Sequence, residues 1–334
     1  MYLLLNYILE SLRLDILVTG ASGFVGKHLI EKLSGKKDKI LGIDLRIEST
    51  DGADGVCFKE IDIKDPDKVA NIIKKLKPSR IFHLAAQSSV KNSWQDPIET
   101  FRINVFGGIN ILEAVKKYSP GSKVLVVCTA EEYGDGNLPG KAIKETDKLN
   151  PSNPYAISKA ALDFFSTTYN KAYGVNIFVS RSFNHIGPGQ SERFVCSDFA
   201  KQIALIEKGE AEPLLRVGNL GSYRDFLDVR DVVSAYIRIV ERAKPGVVYN
   251  VCSGRKTKVK KILDILLSLS SRDDIKIEVD SQRLRPIDTD IVYGDNTRLI
   301  KDTGWKAFYE LEESLKDTLQ WWRSKINKEN KEVK

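Results

Sequence analysis

The residues best suited to chemistry are a tyrosine and a lysine four positions apart, Tyr155 and Lys159. The segment 154–173 has helical spacing, so both side chains are expected on one face of a helix. A phenol has an ordinary pKa of about 10, and it exchanges protons at neutral pH only when a nearby cation stabilises the phenolate. Lys159 would supply that cation. Such a pair also occurs by chance in helices, so its meaning depends on the rest of the chain.

A glycine loop, TGASGFVG, supplies the second chemical feature. It follows a predicted buried strand at 15–19, precedes a predicted helix at 27–33, and contains Gly20, Gly23 and Gly26. Glycines let the backbone approach a pyrophosphate closely, and the helix N-terminus favours its negative charge. Glycines at a helix entry also serve ordinary turns, but the apolar strand and amphipathic helix on either side favour a dinucleotide site.

Acidic residues follow the next two predicted strands. Asp44 comes about 20 residues after the loop, where a carboxylate accepts hydrogen bonds from the adenosine ribose and repels a 2′-phosphate. NAD(H) is therefore the favoured cofactor. Arg46 could instead pair with a 2′-phosphate, so NADP(H) stays open. Asp62 is expected to meet the adenine edge, unless it is only a loop carboxylate.

The elements that must position these residues alternate along the chain. Apolar strands are predicted at 15–19, 40–44, 56–61, 80–85, 123–128 and 175–180, and helices at 27–33, 66–77, 104–118 and 154–173. This alternation predicts a parallel sheet covered by helices on both faces. The predicted fold class is α/β, a Rossmann-type doubly wound parallel sheet with a smaller C-terminal α/β part that binds substrate.

The predicted organisation has four parts. Residues 1–14 are an N-terminal extension, interpreted as an extra helical turn or an over-extended start because no signal-peptide cleavage site follows. Residues 15–183 form the dinucleotide-binding domain with the catalytic residues. Residues 184–326, where the alternation becomes irregular, form the mainly substrate-binding part, with some segments expected to return to the first domain. Residues 327–334 form a Lys-rich tail.

Composition excludes several classes of protein. With 42% hydrophobic residues and no apolar stretch of roughly 18 residues, the chain is expected to be soluble and without a membrane partner. Its net charge of +7 comes from lysines spread along the chain, and no basic and aromatic stripe indicates nucleic acid. The four cysteines are far apart, without CxxC spacing or a histidine cluster. Neither a disulfide framework nor a metal is expected, and a cytoplasmic location is favoured.

Taken together, the motifs resemble the extended short-chain dehydrogenase/reductase family, in which TGxxGxxG precedes a strand-end Ser or Thr and then YxxxK. TGASGFVG, Thr129 in VVCTAEEYG, and YAISK occur here in that order. The resemblance implies that Tyr155 is the general acid/base, that Lys159 also holds the nicotinamide ribose, and that Thr129 hydrogen-bonds the reacting sugar oxygen. It also implies a homodimer through the helices of Asn104 and Tyr155. The other residues expected around the cofactor are Ser22, Phe24, Val25, Ile63, Leu84, Ala85, Ala86 and Asn104.

Four C-terminal segments narrow the substrate: SFNHIGPGQSERFV, VGNLGSYRDFLDVRDV, VYNVCSGR and LRPIDTDIVYGD. The planar fork of an arginine suits a diphosphate, and Arg224 and Arg285 are the best candidates unless each forms a surface ion pair. The segments resemble those of the GDP-4-keto-6-deoxy-D-mannose reductases, which form GDP-D-rhamnose, and next the GDP-mannose 4,6-dehydratases. The substrate residues implied are Ser88, Asn184, Arg193, Asn219, Arg224 and Arg285.

The resemblance implies hydride transfer from NAD(P)H to C4 of a GDP-linked 4-keto sugar while Tyr155 supplies a proton. Glu131 stands where the related dehydratases place the glutamate that removes the C5 proton. A dehydratase or a 4-epimerase therefore stays an alternative, although the favoured interpretation of Glu131 is a polar strand-end residue that orients substrate. A dinucleotide sensor without catalysis is disfavoured, because Thr129, Tyr155 and Lys159 occur together.

Overall fold

A parallel β-sheet forms the centre of the protein, whose computed structural model describes residues 15–35, 38–47, 55–134, 140–283 and 290–332. The predicted extension at 1–14 and Arg285 lie outside the described residues. In chain order the strands are β1 (Ile16–Thr19), β2 (Ile40–Asp44), β3 (Val56–Glu60), β4 (Arg80–His83), β5 (Lys123–Thr129), β6 (Asn176–Ser182), β7 (Asn184–Ile186), β8 (Leu214–Val217), β9 (Tyr223–Arg224), β10 (Phe226–Asp228), β11 (Val248–Val251), β12 (Thr257–Lys258), β13 (Lys276–Val279) and β14 (Ile291–Val292).

Helices cover both faces of this sheet and build most of the remainder. They are α1 (Phe24–Leu33), α2 (Pro66–Leu76), α3 (Val90–Gln95), α4 (Pro97–Phe101), α5 (Gly107–Tyr118), α6 (Pro154–Tyr173), α7 (Val195–Glu207), α8 (Val229–Arg242), α9 (Val259–Ser268), α10 (Thr297–Thr303) and α11 (Leu311–Glu332). A π-helical turn (Arg102–Phe106) joins α4 to α5, and a 3-10 turn (Ala130–Tyr133) follows β5. Among the described residues, no helix combines the length and the apolar character needed to cross a bilayer.

The large sheet has the order β3-β2-β1-β4-β5-β6-β11, and every neighbouring pair is parallel. The order reverses direction between β1 and β4, as in a doubly wound sheet that binds a dinucleotide at its carboxyl edge. The predicted fold class is confirmed. β11 comes from the C-terminal half of the chain and extends the sheet beyond β6.

The sheet strands are apolar on both sides because helices bury both faces. Leu17 of β1 packs in a core with α2, α5 and α6, whereas its neighbours Ile16 and Val18 pack with α1 and α8. All three side chains are fully buried. A continuous apolar run, rather than an alternating one, is the pattern that such a strand requires.

The helix α6 has the bounds that its sequence predicts, because both ends carry local signals. Asn153 accepts a hydrogen bond from the backbone amide of Ala156 at 2.9 Å, and Pro154 occupies the first turn. Gly174 ends the helix in the left-handed conformation, with φ of 68°. Caps of this kind satisfy backbone groups that the helix itself leaves unpaired.

The helix predicted at 104–118 differs from the structure in its first turn. The α-helix begins at Gly107, and Asn104 lies in the π-helical turn, in which Gly107 N donates to the Arg102 carbonyl. A π-turn inserts one extra residue into the helical path and rotates the side chains that precede it. Here it accompanies a fully buried Asn104 side chain.

The C-terminal part has its own core, built by α7, α9 and α11. Two short sheets, β12-β9-β14 and β13-β8, lie beside it. α11 continues to Glu332, so the Lys-rich segment predicted as a tail from 327 begins inside a helix. The apolar residues Leu315, Leu319 and Trp322 bury one face of that helix against α7, which explains its extension.

Candidate active site

The predicted cofactor loop lies at the carboxyl end of β1, beside the point where the sheet order reverses. Gly20 has φ of 71°, and a Cβ atom there would lie 2.7 Å from the Ala85 nitrogen. A Cβ atom at Gly26 would lie 2.2 Å from the Gly20 carbonyl oxygen. Neither position accepts a side chain without a backbone shift. The loop therefore has the close backbone packing that a pyrophosphate cradle at the start of α1 requires.

Asp44 ends β2 next to this loop and is held by two backbone amides. Its Oδ2 accepts from Ser22 N at 2.9 Å, and its Oδ1 accepts from Leu45 N at 2.7 Å. These bonds tie the carboxylate to the glycine loop. Arg46 is exposed. The pair predicted to decide between NAD(H) and NADP(H) thus lies together at the outer edge of the cradle.

The segment after β4 forms the opposite wall of the cradle. Leu84 N donates to the Thr19 carbonyl at 3.2 Å, and Ala85 N donates to the Thr19 hydroxyl at 3.1 Å. The same hydroxyl and His83 Nδ1 are hydrogen-bonded at 2.8 Å. Burial, and then the charge of Lys159, lower the pKa of His83 to about 3, so its ring is neutral. Thr19 and His83 thereby fix this wall, and the sequence did not single them out.

The residues predicted near the adenine follow β3. Asp62 is half-buried, accepts from Lys64 N at 2.9 Å and lies 3.6 Å from Lys64 Nζ. The side chain of Ile63 is buried against Gly107 at the start of α5, and its carbonyl accepts from Asn110 at 2.9 Å. Asp62 is therefore partly engaged by a neighbouring lysine.

The structure brings the three predicted catalytic residues together. Thr129 ends β5, and Tyr155 and Lys159 lie one turn apart on α6, which packs against β5. The Thr129 hydroxyl acts on the ionisation of the Tyr155 phenol. Burial raises the pKa of Tyr155 well above its ordinary value, and the Thr129 hydroxyl opposes that rise. Lys159 is also buried.

Glu131 lies on the 3-10 turn after Thr129 and is only partly buried. Its Oε2 accepts from Asn153 Nδ2 at 3.5 Å, and its backbone amide donates to the Thr129 hydroxyl at 3.3 Å. Its charge raises the pKa of Tyr155. The carboxylate that would remove a proton in a dehydratase is thus present beside the catalytic pair.

Asn104 connects the cofactor wall to the catalytic helix. Its Oδ1 accepts from Gln87 N at 2.8 Å, and its Nδ2 donates to the Gln87 carbonyl and to the Ser158 hydroxyl at 3.0 and 2.9 Å. Ser158 in turn donates to the Tyr155 carbonyl at 2.7 Å. The π-turn described above places the amide at this junction. Ala86, next to Gln87, is half-buried along the same wall.

A buried charged cluster lies behind Thr129, and sequence reasoning missed it. Glu132 Oε1 accepts from Thr129 N at 3.1 Å, and its Oε2 lies 3.6 Å from Arg181 Nε. Arg181 Nε donates to Asp163 Oδ2 at 2.8 Å. The carboxylates and the Cys128 thiol lie within 4.8 Å of one another, a spacing that could hold a metal. The guanidinium already provides the cation there. The TAEE pattern, a capping box, is the sequence signal that points to Glu132.

The NHIGPGQ segment, which carries the predicted substrate residue Asn184, reaches the cofactor loop. The ring of His28 on α1 is hydrogen-bonded to the Pro188 carbonyl at 2.8 Å, and Phe24 lies against Gly187. Asn184 is exposed at the start of β7. The segment therefore bridges the two parts of the protein at the open edge of the sheet.

Arg224 is fixed through its neighbour Asp225. Asn184 N donates to the Asp225 carbonyl at 3.2 Å, so the two predicted substrate segments are adjacent. The buried carboxylate of Asp225 accepts from Ser253 N, Ser253 Oγ and Gly254 N at 2.7, 2.6 and 3.0 Å. Arg224 itself is half-buried. The other predicted substrate residues that the structure describes, Ser88, Arg193 and Asn219, are exposed on loops.

The chain is similar to known proteins over almost its whole length. A family model described as GDP-mannose 4,6 dehydratase matches residues 17–318. The GDP-6-deoxy-D-mannose reductase of Pseudomonas aeruginosa is 34% identical over 316 residues, which cover 94% of this chain and 99% of that protein. Similarity of this extent indicates a shared fold.

Solved structures are also similar to this chain over almost its whole length. The structure of RMD from Pseudomonas aeruginosa complexed with NADPH has a TM-score of 0.82 at 33% identity, covering 93% of this chain and 99% of that chain. The UDP-glucose 4-epimerase of Thermotoga maritima with UDP-glucose has a TM-score of 0.85 at 27% identity, covering 94% and 100%. The same architecture therefore occurs in RMD and in an epimerase.

Proposed function

The chain belongs to the GDP-mannose 4,6-dehydratase family of extended short-chain dehydrogenases/reductases, and from this premise we propose that it reduces the 4-keto group of a nucleotide-linked 4-keto-6-deoxy sugar. The proposed reaction converts GDP-4-keto-6-deoxy-D-mannose to GDP-D-rhamnose with NAD(P)H. The placement of Thr129 at the end of β5 against the helix of Tyr155 and Lys159, at the edge of a glycine cradle, is the observation that carries this proposal.

The chain's own residues would act on the substrate carbonyl. Thr129 would hold the C4 oxygen, and Tyr155 would donate a proton to it as negative charge develops. Lys159, charged and one turn away, favours loss of the phenol proton. Such proton transfer contributes typically about 100- to 10,000-fold in rate. Fixing the reactants in line can contribute roughly 7 to 11 kcal/mol, so positioning outweighs acid catalysis.

The cofactor site fits a nicotinamide dinucleotide, because the side-chain-free positions Gly20 and Gly26 leave backbone room for a pyrophosphate. When bound, the reduced nicotinamide supplies the hydride. Asp44, held by Ser22 N and Leu45 N, would receive the adenosine ribose and favour NAD(H). The exposed Arg46 beside it supports NADP(H) as the alternative, and the similar structure of RMD from Pseudomonas aeruginosa is complexed with NADPH.

The remaining binding roles are proposed in the same way. Asp62 and Ile63 would line the adenine side, and Lys159 and Asn104 the nicotinamide side. The other residues proposed to line the cofactor are Gly23, Phe24, Val25, Leu84, Ala85 and Ala86. Those proposed to bind the nucleotide sugar are Ser88, Asn184, Arg193, Asn219, Arg224 and Arg285.

A dehydratase is the second candidate, and Glu131 is the observation that favours it. Its partly exposed carboxylate lies two residues after Thr129, where it could remove a proton from the carbon next to a C4 ketone. The reductase reading requires Glu131 only to orient substrate. A 4-epimerase of the same fold is the third possibility, and both rivals return their cofactor to its starting state.

We propose a homodimer in the cytoplasm. Apolar side chains stand exposed on the elements around α5 and α6, and the free, unpaired state of all four cysteines is that of a reducing compartment. The exposed residues are Ile98, Phe106, Ile157 and Phe164. Sedimentation of the purified protein tests the dimer, and substitution of Phe164 by Glu is expected to shift it towards monomer.

Cofactor stoichiometry tests the reaction. Purified protein with GDP-4-keto-6-deoxy-D-mannose is expected to oxidise one NADH or NADPH for each product formed. The same protein with GDP-mannose and NAD(P) is expected to form no 4-keto product. A product that forms from GDP-mannose without net nicotinamide consumption would exclude the reductase and establish the dehydratase.

A further inference from the structure

The buried cluster behind Thr129 has no part in the reaction proposed above. Its members Glu132, Asp163, Arg181 and Cys128 are each at most 5% exposed. Two carboxyl groups share one guanidinium, and Arg181 uses its Nε for Asp163 while remaining 3.6 Å from Glu132. With both carboxyl groups ionised, this pair of acids and the arginine would carry an excess negative charge away from water, which is costly.

Glu132 is the member that departs from ordinary pairing. Its Oε1 accepts from Thr129 N at 3.1 Å, but its Oε2 is buried without a hydrogen-bond partner among the described residues. Burial and then the charge of Asp163 raise the pKa of Glu132 to about 8, against the lowering effects of Thr129 N, Arg181 and Lys159. The pKa of Glu132 thus lies well above that of an ordinary carboxyl group.

We propose that Glu132 is a positioning residue for Tyr155: its buried carboxyl group, one oxygen of which has no hydrogen-bond partner among the described residues, fixes Thr129 and through its charge weakens Tyr155 as a proton donor. The inference rests on the proposed function in that Tyr155 gives its proton to substrate. The hydrogen bond from Thr129 N joins Glu132 to the residue whose hydroxyl acts on the Tyr155 phenol. A negative charge on Glu132 raises the pKa of Tyr155.

The charges that face Glu132 set the sign of this effect. Asp163 adds negative charge from α6, whereas Lys159 on α6 and Arg181 on β6 oppose it. Burial raises the pKa of both Cys128 and Tyr133, and the charge of Glu132 adds to that rise.

The alternative is that Glu132 serves only as a helix cap, as the capping box would suggest. The two roles differ in what Glu132→Gln does. An amide keeps an oxygen for Thr129 N and imitates the protonated carboxyl group, but it cannot ionise. A mere cap would leave the pH profile of the enzyme unchanged, whereas the proposed role removes one inflection from it.

Steady-state kinetics from pH 6 to 10 provides the first test. Wild-type kcat is expected to fall roughly tenfold as Glu132 ionises, with KM changed less than about twofold, and Glu132→Gln is expected to lose that fall. Glu132→Ala, which leaves Thr129 N without an acceptor, is expected to lower kcat about tenfold at pH 7. Profiles of wild type and Glu132→Gln that superimpose would overturn the inference, and this comparison suffices should Glu132→Ala not fold.

Glu145→Gln is the matched control. Glu145 belongs to the same network, because its carbonyl accepts from Arg181 and its Oε1 accepts from Asn250 N at 3.0 Å, but it has no hydrogen bond to Thr129. This variant is expected to keep the wild-type pH profile. A profile that changes as much as that of Glu132→Gln would show a general effect of the network and would contradict a specific role for Glu132.

Infrared and thermal measurements test the ionisation without any substrate. At pH 7, wild type is expected to show a protonated-carboxyl band that Glu132→Gln lacks. Because the folded pKa exceeds the unfolded one, the stability due to Glu132 is complete below the unfolded pKa and is lost as the pH rises through the folded value. The Tm of Glu132→Gln relative to wild type is therefore expected to rise between pH 5 and 9. If the purified protein reduces no keto sugar, the proposed function fails. The infrared test does not depend on that outcome, because absence of the protonated-carboxyl band overturns the inference about Glu132 by itself.

Discussion

Thr129, Lys159 and Asn104 lie at the carboxyl edge of the large sheet with at most 8% of their surface exposed, whereas Arg193 and Asn219 in the C-terminal part are exposed. On the sheet side, buried hydrogen bonds hold each polar group from several elements. On the substrate side, Asp225 is a fully buried anchor close to the predicted binding residues. The contrast predicts that catalysis will depend on the fixed geometry of the sheet side, and that substrate choice will depend on surface side chains that can change at small cost to the fold.

The comparison between the sheet side and the substrate side predicts the largest loss of activity for a substitution of Tyr155. Tyr155→Phe keeps the ring in α6 but removes the proton donor, so kcat is expected to fall about 100- to 10,000-fold while the Kd for NADH stays within about twofold. Stopped-flow or steady-state assays and cofactor titration measure the two quantities. Tyr173→Phe, at the exposed end of the same helix, is the control and should retain full activity. Full turnover by Tyr155→Phe would show that Tyr155 is not the proton donor.

A second substitution tests the substrate side. Arg224→Ala removes a charged donor to the proposed diphosphate, and such hydrogen bonds contribute about 1.5 to 3 kcal/mol. The KM for the GDP-sugar is expected to rise roughly 10- to 100-fold, with kcat within about threefold. Arg216→Ala, an exposed arginine on β8, should leave both constants unchanged. A loss of kcat at constant KM would show that Arg224 belongs to the catalytic geometry instead.

A third substitution tests cofactor selectivity at Asp44, which lies at the outer edge of the cofactor cradle. Asp44→Asn keeps one acceptor for the backbone but removes the negative charge that disfavours a 2′-phosphate. The ratio of kcat/KM for NADH to that for NADPH is expected to fall about tenfold, which corresponds to about 1.4 kcal/mol. Glu60→Gln, on the neighbouring strand β3, controls for net charge. An unchanged ratio for Asp44→Asn would indicate that Arg46, or residues outside this edge, determine the cofactor selectivity.

The sequence predicted the sheet, the bounds of α6 and the family correctly, because these depend on local signals: apolar runs, the Asn153 cap, Gly174 and ordered motifs. The sequence did not predict features that depend on contacts between residues far apart in the chain. Asp163 and Arg181 each look like ordinary charged residues until α6 and β6 pack beside the turn that holds Glu132. The π-turn at Asn104 is likewise a tertiary feature, since its purpose is visible only in the bonds to Gln87 and Ser158.

The smallest predicted effect is a loss of stability without a loss of activity, at a helix cap in the sheet domain. Asp65 caps α2 by accepting from Lys68 N at 3.0 Å, and α2 packs on α5. Asp65→Ala is expected to lower the Tm by roughly 2 °C, because one helix N-terminal amide loses its acceptor. Both kcat and KM should be unchanged. Asp65→Ser, which restores a capping acceptor, should recover most of the Tm. A change in kcat or KM without a change in Tm would mean that the cap of α2 affects the geometry of the catalytic residues, although their buried hydrogen bonds do not reach it.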